Sequence, residues 1–164
     1  MSYLFFQVFC SRPGVQMSEA VLLGIILEAA TLVTDQDLHL ASNSLDLLCT
    51  LARVFPDSKA RIWEIVVPPA LDLVQSPLLQ GSALVSLQRF FVSMGDHFEQ
   101  LFQSLLTEIP GKVQQLSTAR CLAALCCQGN LATLPGTLQM LIDTAEDAQS
   151  ERMRCLALLC LGEI

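Results

Sequence analysis

Apolar residues return at steps of three and four along most of the chain, the spacing that lines one face of an α-helix, and no stretch alternates with the period of two that marks a strand. The pattern predicts an all-α protein with helices over residues 18–33, 38–54, 58–75, 79–94, 97–108, 113–128, 134–145 and 149–163. Each break has a physical cause. Thr34-Asp35-Gln36-Asp37 offers capping carboxylates, Pro56-Asp57-Ser58 supplies a stop and a cap, and Gly95-Asp96, Pro110-Gly111 and Gly129-Asn130 end helices. Pro135 suits the first turn of the seventh helix, where its missing N–H does no harm. The connections are short, so successive helices are expected to lie antiparallel, in four hairpins.

An internal repeat turns this expectation into an architecture. Arg120-Cys121-Leu122-Ala123-Ala124-Leu125-Cys126 returns 34 residues later as Arg154-Cys155-Leu156-Ala157-Leu158-Leu159-Cys160, with six of seven residues identical. Weaker copies, Leu45-Asp46-Leu47-Leu48-Cys49 and Leu84-Val85-Ser86-Leu87-Gln88, place one anchoring leucine per repeat at 45, 84, 122 and 156. The steps of 39, 38 and 34 residues vary, within the roughly 33–47-residue span of helical repeats, and such drift fits degenerate HEAT repeats. Tetratricopeptide and ankyrin signatures are absent from the sequence. The fold expected is an α-solenoid of about four HEAT-type hairpins, approximately 18–54, 58–94, 97–128 and 132–164, after a separate N-terminal helical segment at 1–17.

Small residues sharpen the packing expectation. Ala41, Gly81 and Ala119 stand four, three and three residues before their leucines, which predicts close approach of helices there and overpacking by Gly81→Leu. Pro68-Pro69 falls within the third predicted helix, so a kink or restart is expected at that point.

Composition agrees with an array. Apolar residues make up 52% and charged residues 15% of the 164, against about 25% charged in an average soluble domain, so apolar surface must be covered on more than one face. Sixteen acidic against nine basic residues give a net charge of −7, which repels nucleic acid and anionic lipid. Val21–Val33 is the most apolar stretch, but it holds Glu28 and falls short of the roughly 20 residues that cross a bilayer. The apolar run Tyr3–Phe9 has no basic residues before it, and Ser11-Arg12-Pro13-Gly14 is a poor cleavage site, so no signal peptide is read. Seven cysteines, at 10, 49, 121, 126, 127, 155 and 160, are an odd number sitting mostly within apolar helical patterns. Reduced thiols, and hence the cytoplasm or nucleus, are expected.

Candidate chemistry is sparse. Cys121 and Cys126, like Cys155 and Cys160, are five apart, about 140° around a helix, so one tetrahedral metal cannot take both. His39 and His97 stand near helix starts with no nucleophile and orienting third group beside them in sequence. Asp35 and Asp37 resemble the opening of a calcium loop without its glycine and bidentate glutamate, and read instead as helix caps. Glu146, Asp147 and Glu151 form an acidic turn, and Arg120 and Arg154 hold equivalent repeat positions suited to pairing with a carboxylate on a neighbouring repeat. No catalytic, cofactor-binding or metal site is assigned, and a non-enzymatic scaffold without small-molecule substrate is expected.

Longer strings carry a resemblance. Leu38-His39-Leu40-Ala41 with Leu45-Asp46-Leu47-Leu48-Cys49-Thr50-Leu51, Val67-Pro68-Pro69-Ala70-Leu71-Asp72-Leu73-Val74, Ser76-Pro77-Leu78-Leu79-Gln80-Gly81 and Leu158-Leu159-Cys160-Leu161-Gly162-Glu163-Ile164 resemble the middle of the cullin-associated, neddylation-dissociated protein family. The resemblance implies a segment of a long HEAT solenoid. The expected partner is then an unneddylated cullin–RING ubiquitin ligase scaffold, whose substrate-receptor modules such proteins exchange, with no nucleic acid or membrane involved. A general HEAT scaffold of transport or chromatin complexes is the alternative.

Overall fold

The computed structural model describes residues 17–107, 115–128, 134–147 and 150–164. Among them the chain forms eight α-helices and no strand: α1 (Glu19–Thr31), α2 (Leu38–Val54), α3 (Lys59–Val74), α4 (Gly81–Ser93), α5 (Phe98–Thr107), α6 (Gln115–Gln128), α7 (Leu134–Asp147) and α8 (Glu151–Glu163). Short 3₁₀ turns, Pro56–Ser58 and Gly95–His97, lead into α3 and α5. No helix in the described part is long and apolar enough to cross a membrane.

Local chemistry sets the helix starts. The Ser18 hydroxyl accepts from the Val21 amide at 3.4 Å, and the Asp37 carboxylate accepts from the His39 and Leu40 amides at 2.9 and 3.0 Å. A cap of this kind is worth about 1 kcal/mol, because it satisfies amides that the helix itself leaves unpaired. Two expected caps do other work. Ser58 donates to the Phe55 carbonyl at 2.6 Å, closing the 3₁₀ turn, and Asp35 accepts from Ser76 Oγ at 2.8 Å, tying the first connection to the end of α3. Pro135 lies in the first turn of α7, as the pattern predicts. Pro110-Gly111, Gly129-Asn130 and the segment before residue 17 lie outside the described residues.

The helices stack as an all-α solenoid of four HEAT-type pairs. The even-numbered helices form one continuous layer, α2 on α4, α4 on α6 and α6 on α8, while α1 packs on α3 and α2, α5 on α6, and α7 on α8. The anchoring leucines lie in this layer, and Leu45, Leu84, Leu122 and Leu156 are all buried. Three residues on, Leu48, Leu87 and Leu125 are buried as well, whereas the equivalent Leu159 of α8 is 37% exposed. The second leucine is thus covered in the first three repeats and partly open in the last. At the other end Val21, Leu23 and Leu27 of α1 stand exposed, although α1 is apolar nearly all round. Exposed large apolar side chains are densest in and next to α1 and α8, while Leu40, Leu78, Val85, Leu116 and Ile142 are exposed between them.

Two expectations are corrected. Of the kink or restart expected at Pro68-Pro69, the restart does not occur: α3 is one helix from Lys59 to Val74 with both prolines inside it. An interior proline costs about 3 kcal/mol, and the burial of Val66, Val67, Ala70, Leu71, Leu73 and Val74 around the pair outweighs that cost. Gly81 does not mark a close approach of helices. A Cβ built on it meets nothing within 4 Å, and its φ is +58° where the chain turns into α4. Glycine is required there by backbone conformation, since an L side chain in the left-handed region costs about 1–2 kcal/mol.

Gly81→Ala is therefore expected to lower unfolding stability by about 1 kcal/mol. Gly24→Ala, in the interior of α1 with free space around it, is expected to raise stability by about 0.5–1 kcal/mol. Urea unfolding of the two variants checks the pair; equal and neutral effects would contradict the conformational reading of Gly81.

Candidate protein-binding surface

Polar contacts pin each repeat to the next. Between the first and second, Ser42 and Ser86 share a buried hydroxyl–hydroxyl hydrogen bond of 2.9 Å, and Ser93 Oγ donates to Cys49 Sγ at 3.7 Å. Between the second and third, Gln88 Nε2 donates to the Arg120 carbonyl at 3.0 Å, Lys59 pairs with Asp96 at 2.7 Å, and the rings of Trp63 and His97 lie 4.4 Å apart. Between the third and fourth, Arg120 Nε donates to Glu163 at 3.2 Å. Arg120 thus does what its repeat position suggested. Arg154, its equivalent, is exposed and makes no ion pair among the described residues.

The cysteines follow the same repeat register. Cys126 and Cys160, four residues after their anchoring leucines, are buried and hydrogen-bond to each other across the α6–α8 seam. That contact holds the Cys126 thiol below its ordinary value, and the same contact together with burial holds Cys160 far above it. Burial alone pushes Cys121 up to about 12. Burial, against a smaller opposing hydrogen bond from Ser93, pushes Cys49 up to about 11. Thiols so placed act as small apolar packing groups, whereas Cys127 and Cys155 are exposed.

The remaining candidates do not converge on a chemical centre. No group of three or more His, Cys, Asp or Glu able to hold a metal ion occurs among the described residues. His39 is exposed and lies 3.3 Å from the Asn43 amide, while His97 is engaged by Trp63. Glu146 and Glu151 are exposed at the end of α7 and the start of α8, on either side of residues outside the described part.

One surface feature escaped the sequence pattern. At the α2–α4 seam a groove of about 680 Å³ is lined by Asp46, Cys49, Thr50 and Arg53 of α2, Arg89 and Ser93 of α4, and Pro56 and Lys59 beyond the end of α2. Residues 46, 49, 50 and 53 share one face of α2, and residues 89 and 93 one face of α4. The i, i+4 spacings were readable, but which helices lie side by side was not.

What this geometry offers is surface: a stack of helices with open apolar ends and a polar groove along one seam. No protein-family model matches the chain. Full-length relatives do. Cullin-associated NEDD8-dissociated protein 1 of Arabidopsis thaliana is 34% identical over 157 residues, covering 85% of this chain. The protein of the same name from Drosophila melanogaster is 32% identical over 166 residues, again covering 85%. The chain is homologous to one stretch of the cullin-associated NEDD8-dissociated proteins. Cullin-associated NEDD8-dissociated protein 2 of Rattus norvegicus extends the match to 92% of the chain at 26% identity. The chain spans 13% of the length of these cullin-associated relatives.

The burial pattern predicts a thiol order. Brief maleimide labelling of the native chain, followed by peptide mass mapping, is expected to mark Cys127 and Cys155 well before Cys121, Cys126 and Cys160. Labelling of Cys121 as fast as Cys127 would contradict the packing role.

Proposed function

We propose that the chain is a protein-binding scaffold, not an enzyme, and that it forms part of a surface that engages unneddylated cullin–RING ligase scaffolds and supports exchange of their substrate-receptor modules. The observation that carries the reading is the 34% identity, across 85% of the chain, to a protein named as cullin-associated and NEDD8-dissociated. The fold supports it physically. A helical array stacks nearest neighbours into an extended surface, to which each repeat contributes a part. Four repeats supply only part of that area. The inter-repeat pins would fix the curvature of the stretch within a longer array.

A chimera in which this chain replaces the matching stretch of the Arabidopsis relative tests the reading by pull-down of cullin with and without attached NEDD8. The chimera is expected to retain unmodified cullin and to release the NEDD8-linked form, while the isolated chain binds weakly and self-associates through its apolar ends in light scattering. A chimera that folds, as judged by circular dichroism, and ignores cullin would overturn the proposal.

A further inference from the structure

We propose that the groove at the α2–α4 seam, where Arg53, Lys59 and Arg89 converge, is a docking site for an acidic peptide segment of a protein partner. Charge distribution is the first ground. The chain as a whole carries −7, yet three of its basic residues line this one groove and Asp46 is the only carboxylate among the lining residues. Arg53 and Arg89 are exposed and make no ion pair among the described residues, in contrast to Arg61 and Arg120, which are paired with Glu64 and Glu163. Lys59 is partly neutralised by Asp96, which hydrogen-bonds to it and is thereby held below the usual carboxylate range.

The opposing term is smaller. The C-terminal ends of α2 and α4 bring about half a negative charge each, offset in part by the N-terminus of α3 at Lys59. With Lys59 paired to Asp96 and Asp46 set against a further cation, the groove keeps a small net positive charge, carried by the guanidinium groups of Arg53 and Arg89. Two guanidinium forks, each able to grip a carboxylate with paired N–H groups, suit Asp or Glu side chains better than neutral ones. The volume of about 680 Å³ lies within the roughly 300–1,000 Å³ of pockets that enclose small ligands, enough for the side chains of a short segment. A long polyanion such as nucleic acid would also meet the acidic remainder of the surface, whereas a short acidic segment meets only the groove.

Fluorescence anisotropy on the 164-residue chain, with a fluorescein-labelled octapeptide of alternating glutamate and serine, tests the inference. Expected is binding that weakens with salt and exceeds that of the matching glutamine–serine peptide. Arg53→Glu with Arg89→Glu is expected to weaken it by about tenfold or more, and Arg89→Gln alone by less, while Arg61→Glu, outside the groove, leaves it unchanged. Equal binding of the two peptides, indifference to the charge reversal in a variant that still folds, or complete displacement by millimolar inorganic phosphate would overturn the proposal. No cullin enters the experiment, so its failure would leave the cullin reading standing, and failure of the chimera would leave the groove standing.

Discussion

Everything in this chain depends on the seam between successive even-numbered helices. A single helical hairpin cannot bury its own apolar face, so each repeat is stable only when the next one covers it. One leucine per repeat, at 45, 84, 122 and 156, is buried in this layer of even-numbered helices, and the leucine three residues later is buried too in all but the last repeat. Burying such a side chain is worth roughly 1.5–3 kcal/mol, more than the usual net gain from a hydrogen bond. The polar pins therefore contribute register more than energy. The Ser42–Ser86, Gln88–Arg120 and Arg120–Glu163 contacts each hold one even helix at a set position along its neighbour.

The sequence revealed the fold because one period wrote it twice. Apolar spacing gave the helices, and the recurrence of Arg-Cys-Leu-Ala across 34 residues gave the stack. Asp37 and Pro135 behaved as local chemistry predicts, since a cap and a first-turn proline depend only on residues within one turn. Gly81, Asp35 and the Pro68-Pro69 pair did not. Gly81 was aligned with alanines inside helices, but the chain is still turning there, and a left-handed φ is invisible to an alignment of spacings. Asp35 was taken by Ser76, 41 residues away, and the prolines were carried by burial of their neighbours; both outcomes depend on tertiary packing. The cationic groove was illegible for the same reason: Arg53 and Arg89 meet only because α2 lies beside α4.

Function follows from what the stack leaves uncovered. Cys121, Cys126 and Cys160 are buried in the packing of α6 and α8, His39 is exposed beside Asn43, and His97 is held against the Trp63 ring. What the described residues leave uncovered is exposed apolar side chains in α1 and α8 and a groove at the α2–α4 seam lined by Arg53, Lys59 and Arg89, on a chain of net charge −7. Homology to one stretch of the much longer cullin-associated relatives fits that description, since such a stretch has repeat-packing surface to offer before it has any chemistry.

If nearest-neighbour stacking is the constraint that holds the molecule together, stability must be graded along it. Native-state hydrogen exchange measures this directly. The account predicts that amides of α4 and α6, covered by an even helix on both sides, exchange slowest, and that those of α1 and α8, whose Val21, Leu23, Leu158 and Leu159 are exposed, exchange fastest. Uniform protection from α1 to α8, or protection greatest in the end helices, would contradict it.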